Sequence, residues 1–211
     1  MSKILRNISE AVEDGDLDEV VELVKEALED DIDVKEIMDD GLLDGMNEVG
    51  NLFKEGEMFV PEVLMSANAL DAGMEILSPL LKEGELKKAG KIIFCTVLGD
   101  LHDIGKKLCV MMLEGAGYEV IDLGVDIGVD QIIDAAKEHK PDIVAMSAML
   151  TTTMVTMDDT VDALKKNNLF DSLSVMVGGA PLSADYAKGI GSNYSEDAVT
   201  AVELADALMA S

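Results

Sequence analysis

The feature of this sequence that most constrains its fold is a change of hydrophobic periodicity near Gly90. Beyond this point, short runs rich in β-branched and apolar residues alternate with amphipathic stretches. Strands are predicted at 91–98, 118–122, 142–146, 173–177 and, weakly, 192–194. Helices are predicted at 104–114, 129–138, 154–167, 183–188 and 198–209. Five alternations of strand and helix predict a parallel sheet that helices cover on both faces.

Before Gly90 the apolar residues recur at helical spacing. One apolar stripe follows a candidate N-cap at Asp16, and its members are Leu17, Val20, Val21, Val24 and Leu28. Asp33 is a candidate cap for a helix over 34–53, and Pro61 suits the first turn of a helix that continues over 63–81. Together with a helix at the start of the chain, these elements predict a four-helix bundle.

The two halves predict an α/β protein with two domains. The first, residues 1–88, is a helical bundle. The second, residues 89–211, is a Rossmann-like domain with a flavodoxin-type sheet of five parallel strands.

Composition excludes several function classes. The formal net charge is −27 at pH 7, which argues against nucleic acid as a partner. The two cysteines, Cys95 and Cys109, form neither a disulfide framework nor a zinc motif, so a reducing cytoplasm is expected. No signal peptide is recognised, and no apolar run approaches the ~18 residues that span a membrane. We therefore expect a cytoplasmic protein that does not act at a membrane.

Three segments follow predicted strands at the edge where such sheets bind ligands, which is beyond their carboxyl ends. Residues 99–105, with the sequence GDLHDIG, follow the first strand. Residues 147–153 follow the third strand, and Gly178 and Gly179 follow the fourth. We expect these three segments to form one site.

His102 is the most informative side chain in these segments. Its imidazole can act as a general base, a metal ligand or a structural hydrogen-bonding group, and Asp100 can hold its other ring nitrogen. One histidine with carboxylates is too few ligands for structural zinc, and His139 is predicted at the far end of a helix. If His102 binds a metal, another molecule supplies most of the coordination. Neither a dinucleotide fingerprint nor a P-loop is present.

The spacing of these residues resembles the vitamin B12-binding signature D-x-H-x-x-G, 41 residues, S-x-L, 26 to 28 residues, G-G. Here Asp100 to Gly105 are followed by 41 residues, then Ser147 to Met149, then 28 residues and the glycine pair. The one departure is Met149 in place of leucine. The stretch GMNEVGNLFKEGEMFVPEVLMSA, residues 45–67, also resembles the helical module of this family. The chain is similar to corrinoid proteins of methyltransferase systems and to the cobalamin-binding segment of methionine synthase.

The resemblance implies a bound cobalamin in the base-off form, with His102 as the lower ligand of cobalt. It implies that Asp100 bonds the histidine, and that Thr153 stands where the family has a serine as third relay member. The walls of the slot for the nucleotide tail would be Gly105, Ser147, Thr151, Gly178 and Gly179. Further candidate cofactor contacts are Gly99, Leu101, Asp103, Ile104, Met149, Leu150 and Ala198. Phe53 and Val60 match positions that cover the upper face of the corrin.

The implied function is that of a methyl carrier which does not turn over alone. A substrate:corrinoid methyltransferase would load the methyl group, a methylcorrinoid:acceptor methyltransferase would remove it, and a reductive activation protein is a further expected partner. Two alternatives stay open: a B12-dependent sensor module, and a metallohydrolase built on Asp100, His102 and Asp103. The sequence leaves open the methyl donor, the acceptor and the oligomeric state.

Overall fold

The structure is a computed structural model that describes residues 2–80 and 89–210. These residues divide into two compact units. The first holds residues 2–80 together with the short segment 115–117, and the second holds residues 89–114 and 118–210. In the part of the chain that is described, no helix is both long enough and apolar enough to cross a lipid bilayer.

The first unit is helical, as predicted. Its elements are α1 (Lys3–Glu13), α2 (Leu17–Glu29), α3 (Val34–Ile37), a π-helical segment (Met38–Leu43), α4 (Asp44–Glu55) and α5 (Val60–Leu77). The predicted caps are confirmed, because Asp16 accepts a hydrogen bond from the Glu19 amide and Asp33 accepts one from the Lys35 amide, each at 3.0 Å. Pro61 lies in the first turn of α5.

The helix predicted over 34–53 differs from the structure in its middle, where the π-helical segment replaces regular α-helix. Ile37 and Leu42 are both fully buried although they are five residues apart. In an α-helix that spacing would rotate one side chain by about 140° from the other. A π turn, which bonds residues five apart, keeps both on the same face. The helix predicted over 63–81 corresponds to α5, which begins at Val60 and ends at Leu77. Position 81, the predicted end, lies outside the described residues.

The interior of the first unit is aliphatic. Its fully buried side chains include Ile8, Val12, Val20, Val24, Ile37, Leu42, Val49, Val63 and Leu77. The stripe predicted on α2 is buried at Val20 and Val24, whereas Leu17, at the start of the helix, is exposed. Helix α4 approaches α1 closely at Gly45, since a Cβ there would lie 2.5 Å from the Ser9 carbonyl oxygen.

The second unit alternates strands and helices. The strands are β1 (Lys91–Thr96), β2 (Glu119–Asp122), β3 (Ile143–Ser147), β4 (Ser174–Gly178) and β5 (Asn193–Ser195). The helices are α6 (Ile104–Gly115), α7 (Val129–His139), α8 (Val155–Lys166), α9 (Ala184–Ile190) and α10 (Ala198–Met209), with a short 3-10 turn at Phe170–Ser172. Each predicted strand and helix is present with ends shifted by at most two residues.

The five strands form one sheet in the order β2-β1-β3-β4-β5, and every pair is parallel. This is the flavodoxin-type order, so the predicted fold class is confirmed. The chain reverses its direction of winding between β1 and β3, which are paired from Ile92 with Ile143 to Thr96 with Ser147. A crevice therefore opens beyond the carboxyl ends of these two strands.

The predicted first strand is two residues too long. β1 ends at Thr96, and Val97 makes only a single bridge to Ile127. Leu98 is 51% exposed, and Gly99 has a φ of +81°, so the chain turns out of the sheet here. This early turn places Asp100 and His102 beyond the sheet edge.

We expect Gly45→Ala to lower the free energy of unfolding by about 1–3 kcal/mol, because the added methyl group meets the backbone of α1. Gly189→Ala in α9 is the matched control, since a Cβ there would find no atom within 4 Å. The control should be neutral or stabilising by up to about 1 kcal/mol, as alanine favours helix. Thermal unfolding followed by circular dichroism measures both. A Gly45→Ala protein that melts at the wild-type temperature would contradict the close helix approach.

Candidate functional site

The carboxylate of Asp100 is the centre of the site. It is fully buried and accepts five hydrogen bonds. One oxygen, Oδ1, accepts from the His102 backbone amide at 3.1 Å and lies 2.7 Å from the His102 ring Nδ1. The other, Oδ2, accepts from the amides of Met149 at 2.7 Å and Leu150 at 3.2 Å, and from the Thr153 hydroxyl at 3.1 Å. The segments after β1 and β3 therefore converge on one charge.

This arrangement keeps Asp100 ionised. Burial by itself raises the pKa of the Asp100 carboxyl, but the hydrogen bonds from Met149, His102 and Thr153 outweigh burial and hold that pKa well below its usual range. An ionised carboxylate only accepts hydrogen bonds, so the His102 ring donates its Nδ1 proton. In the neutral imidazole, Nε2 then carries the free lone pair.

The His102 side chain is 57% exposed although its partner is buried. Its Nε2 makes no hydrogen bond to the residues that the structure describes. Thr96, the last residue of β1, donates its hydroxyl proton to the His102 carbonyl oxygen at 3.0 Å. Sequence reasoning missed Thr96, although a polar residue at the end of a buried apolar run is a signal for such a contact.

The segment after β3 contributes mainly its backbone. Ser147 ends the strand, and its carbonyl oxygen accepts from the Val97 amide at 3.1 Å. Met149 and Leu150 direct amides at Asp100 while their side chains stay exposed. Thr151 is exposed in the turn that follows. The Thr153 hydroxyl, predicted as the third member of a relay, lies 3.1 Å from the Asp100 carboxylate and 2.9 Å from the Leu150 carbonyl oxygen. Its role in a relay stays a prediction.

Gly178 and Gly179 permit a close backbone approach at the end of β4. Gly179 has a φ of +130°, and a Cβ there would lie 2.9 Å from the carbonyl carbon of Ala148. The Gly178 carbonyl accepts from the Ala148 amide at 3.2 Å, and a Cβ on Gly178 would lie 3.1 Å from the Ser195 carbonyl oxygen. A side chain at Gly179 is excluded by the Ala148 backbone, whereas one at Gly178 would require Ser195 to shift slightly. Ala148 is a further residue that the sequence motif did not single out.

The segments after β1 and β3 carry five exposed apolar side chains, which we call the apolar rim. They are Leu98, Leu101, Ile104, Met149 and Leu150, and they are 41–75% exposed. Gly105, in the first turn of α6, has open space where a Cβ would stand. Asp103 points its carboxylate to Lys107 at 2.7 Å, and that bond lowers the pKa of Asp103. The rim is an apolar surface without a covering side chain, which is typical of a binding site.

Three predicted contact residues make none of the hydrogen bonds given above for the described site. Ala198 is buried at the start of α10. Phe53, near the end of α4, and Val60, the first residue of α5, are half-buried side chains of the first unit. Their predicted cofactor contacts stay predictions.

The metallohydrolase alternative needs several protein ligands around one ion. Within residues 2–80 and 89–210, no group of three or more His, Cys, Asp or Glu side chains is placed to hold a metal. Both oxygens of Asp100 are already occupied by donors, and Asp103 is paired with Lys107. Among the described side chains of this site, that of His102 has a ring nitrogen, Nε2, that makes no hydrogen bond to its neighbours.

Comparison with known proteins agrees with this class of site. A family model described as a B12 binding domain matches residues 90–210, and a second model described as a B12 binding domain matches residues 4–78. The chain belongs to the B12-binding family of corrinoid proteins of methyltransferase systems. The recognition made from the signature is thereby confirmed.

Named relatives extend over the whole chain. A corrinoid protein of Desulfitobacterium hafniense is 44% identical over 98% of this chain and 97% of its own length. Dimethylamine corrinoid protein 1 of Methanosarcina acetivorans is 41% identical over the full length of both chains. Trimethylamine corrinoid protein 1 of the same organism is 38% identical over 98% of this chain and 97% of its own.

Two solved structures are also similar. The methanol:cobalamin methyltransferase complex of Methanosarcina barkeri matches with a TM-score of 0.92 and 32% identity, over 99% of this chain and 80% of that chain. A cobalamin-binding protein of Desulfitobacterium hafniense DCB-2 matches with a TM-score of 0.79 and 35% identity, over 97% of this chain and 98% of that chain.

We expect Asp100→Asn to destabilise the folded state by about 3 kcal/mol, because an amide nitrogen replaces one acceptor and faces donors in a buried position. Asp103→Asn is the matched control, since its partner Lys107 is exposed, and it should change stability by less than about 0.5 kcal/mol. Chemical denaturation of both variants and the wild type measures the difference. Equal stability of the two variants would show that the Asp100 charge is not needed for folding.

The loss caused by Asp100→Asn should depend on pH in one direction. The folded-state pKa of Asp100 is lowered, so the unfolded chain takes up the proton first as the pH falls. The contribution is fully present above the unfolded pKa of about 4 and is lost as pH falls through the folded pKa. The stability gap between wild type and Asp100→Asn should thus be constant from roughly pH 5 to 8 and narrow below about pH 4. A gap that widens in acid would contradict the lowered pKa.

Proposed function

We propose that this chain is a corrinoid methyl carrier that binds cobalamin in the base-off form, with Nε2 of His102 as the lower axial ligand. The observation that carries this proposal is the His102 ring itself. Its Nδ1 is held by a buried carboxylate, and its free nitrogen belongs to a side chain that is more than half exposed.

The donor set fits a corrinoid. A corrin ring supplies four equatorial nitrogens to cobalt, so the protein needs to add one nitrogen only. No cluster of three potential metal ligands exists among the described residues, and this suits a metal that arrives with its own macrocycle. A free metal ion would need more protein ligands than His102 and its neighbours offer.

The surroundings of His102 fit the shape and polarity of such a ligand. A broad molecule with an apolar face would cover the apolar rim. Gly105 has open space where a Cβ would stand, which supports a slot for the nucleotide tail beside the start of α6. We assign Gly178 and Gly179 to the walls of this slot on the family resemblance. We assign Gly99, Ser147, Thr151, Asp103 and Ala198 to the same site on the family resemblance.

When bound, the corrinoid supplies a cobalt ion that accepts a methyl group and gives it up again. The chain's own residues hold and tune that ion. Asp100 keeps the Nδ1 proton of His102 in place, which orients the ring and makes Nε2 a stronger electron donor. The amides of Met149 and Leu150 and the Thr153 hydroxyl share the carboxylate charge and limit how far Asp100 draws that proton.

We extend the proposal to partners. A methyltransferase that binds the methyl donor loads the carrier, a second methyltransferase removes the methyl group, and a reductive activation protein restores the carrier. The names of the relatives, which refer to dimethylamine, trimethylamine and methanol, support small methylated donors. The chain is then one subunit of a multi-component system in the cytoplasm, where free thiols such as Cys95 and Cys109 stay reduced.

Purified protein loaded with cobalamin and reduced to Co(II) should give an electron paramagnetic resonance spectrum with hyperfine splitting from one nitrogen. Labelling histidine with ¹⁵N should change that splitting, because the ligand is an imidazole of the protein. The chain has two histidines, so His139→Gln should keep the label-sensitive splitting and His102→Gln should abolish it. If the hyperfine splitting did not change on ¹⁵N labelling, the nitrogen ligand would be the cofactor's own base and not a histidine, and the proposal would be wrong.

We assign the helical domain, residues 1–88, the task of covering the upper face of the corrin, with Phe53 and Val60 as its contacts. Phe53→Ala should then speed the photolysis of bound methylcobalamin, because water and oxygen reach the alkyl group more easily, and it should leave the Co(II) spectrum unchanged. Leu17→Ala, which removes another partly exposed apolar side chain of the same unit, should photolyse at the wild-type rate. Equal rates for all three proteins would limit Phe53 to packing within the bundle.

A further inference from the structure

The segment that follows β2, which we call the β2 loop (residues 123–126), contacts the turn that carries Asp100. Neither the sequence signature nor the proposed function uses this loop. Its last residue, Asp126, makes two hydrogen bonds to that turn. The Asp126 carboxylate accepts from the Gly99 amide at 2.7 Å, and the Asp126 amide donates to the Asp100 carbonyl oxygen at 3.1 Å. The Gly99–Asp100 segment is therefore held at both of its ends.

The backbone of Asp126 is itself unusual. Its φ is +58°, a left-handed conformation that residues with a Cβ seldom adopt, although aspartate tolerates it better than most. This conformation directs the amide and the carboxylate of one residue at the same turn. A strained position of this kind persists only where the surrounding contacts compensate for its cost.

The Gly99–Asp100 turn contains a glycine and therefore depends on outside contacts to fix its conformation. Gly99 has no Cβ and a φ of +81°, so its own backbone preferences restrict this turn little. The Asp100 amide donates to the Val97 carbonyl at 3.1 Å, which leaves the Gly99 amide to be held by another acceptor. The next residue is Asp100, whose carboxylate must point at the His102 ring. A charge-assisted hydrogen bond from the Gly99 amide to Asp126 limits the rotation of this segment.

The β2 loop is anchored well enough to act as a support. Its Leu123 amide donates to the Phe94 carbonyl at 2.8 Å, and its Gly124 carbonyl accepts from the Thr96 amide at 2.9 Å. At the start of the loop, Asp122 pairs with the buried ammonium group of Lys106 and accepts from the Gly124 amide at 2.8 Å. Lys106 lies on α6, so the loop is tied both to β1 and to the helix that follows His102.

We propose that Asp126 is a positioning residue for the lower ligand: it holds the Gly99–Asp100 turn so that the Asp100 carboxylate keeps the His102 ring aimed for coordination. Asp126 does not touch the ring and acts only through Gly99 and Asp100. This inference rests on the proposed role of His102, but Asp126 restrains the Gly99–Asp100 turn whether or not a cofactor is bound.

Three variants separate the side chain from the backbone conformation. Asp126→Gly removes the carboxylate and keeps a residue that adopts positive φ at no cost. Asp126→Asn keeps an acceptor and tolerates the same φ, but it is neutral and bonds more weakly. Asp31→Gly is the matched control, because Asp31 is an exposed aspartate with the same φ of +58° in the first unit.

The first measurement uses the protein without cofactor. In Asp126→Gly the Gly99 amide should exchange its hydrogen about fivefold faster than in the wild type, because it loses its acceptor. Asp126→Asn should exchange at an intermediate rate, and Asp31→Gly should match the wild type at Gly99. An unchanged Gly99 rate in Asp126→Gly overturns the restraint.

The second measurement uses the cobalamin-loaded Co(II) protein and the ¹⁵N-histidine label. The ratio of histidine-ligated to unligated cobalt should fall about fivefold in Asp126→Gly and about twofold in Asp126→Asn, since the charge-assisted bond is the stronger one. Asp31→Gly should keep the wild-type ratio. If Asp126→Gly does not fold, Asp126→Asn carries the test, and an unchanged ratio in that variant overturns the inference.

The two proposals fail in different ways. If the Co(II) spectrum of the wild type shows no splitting from a histidine nitrogen, the proposed function is wrong. The hydrogen-exchange rate of the Gly99 amide still tests whether Asp126 restrains the turn. A wild-type spectrum with histidine nitrogen, together with wild-type ratios in both Asp126 variants, keeps the proposed function and overturns the positioning role of Asp126.

Discussion

The buried charge of Asp100 is the interaction on which the rest of the site depends. A carboxylate without water must receive hydrogen bonds at both oxygens, and here the donors come from the turn after β1 and from the segment after β3. These strands are neighbours at the point where the sheet reverses its winding. If either segment changed its conformation, the Asp100 carboxylate would lose hydrogen bonds. The carboxylate therefore fixes the position of His102 relative to the ends of β1 and β3.

The proposed coordination would account for how few potential metal ligands the described site contains. A protein that builds its own metal centre needs three or four ligands and the hydrogen bonds that orient them. Here one imidazole is oriented, and the neighbouring positions are given to glycines and exposed apolar side chains. Leu101 and Ile104, at 70% and 75% exposure, are unfavourable on a free surface and become favourable once a large apolar ligand covers them.

The sequence predicted the strand and helix alternation closely because each element carries its own periodicity. It placed the segments after β1 and β3 at one sheet edge because parallel strands end at the same edge. The grouping of Asp100, His102 and Thr153 came from the family resemblance, and the structure joins the three side chains by hydrogen bonds. It did not predict the π-helical segment, since the five-residue step from Ile37 to Leu42 is visible only when both are known to be buried. Ala148 and Asp126 were also missed. Their contacts join segments through the paired backbone, and hydrophobic patterns do not record such pairing.

The contrast in burial between Asp100 and His102 bears on the proposed role of the histidine as a ligand. Asp100 is fully buried, whereas the side chain of His102, two residues later, is more than half exposed. The bond to Nδ1, the bond to the His102 amide and the bond from Thr96 to its carbonyl all lie on the protein side of the ring. None of these three bonds involves Nε2. Under the proposed function, a ligand would therefore occupy or leave Nε2 without breaking the contacts that hold the imidazole, as a carrier that repeats its cycle requires.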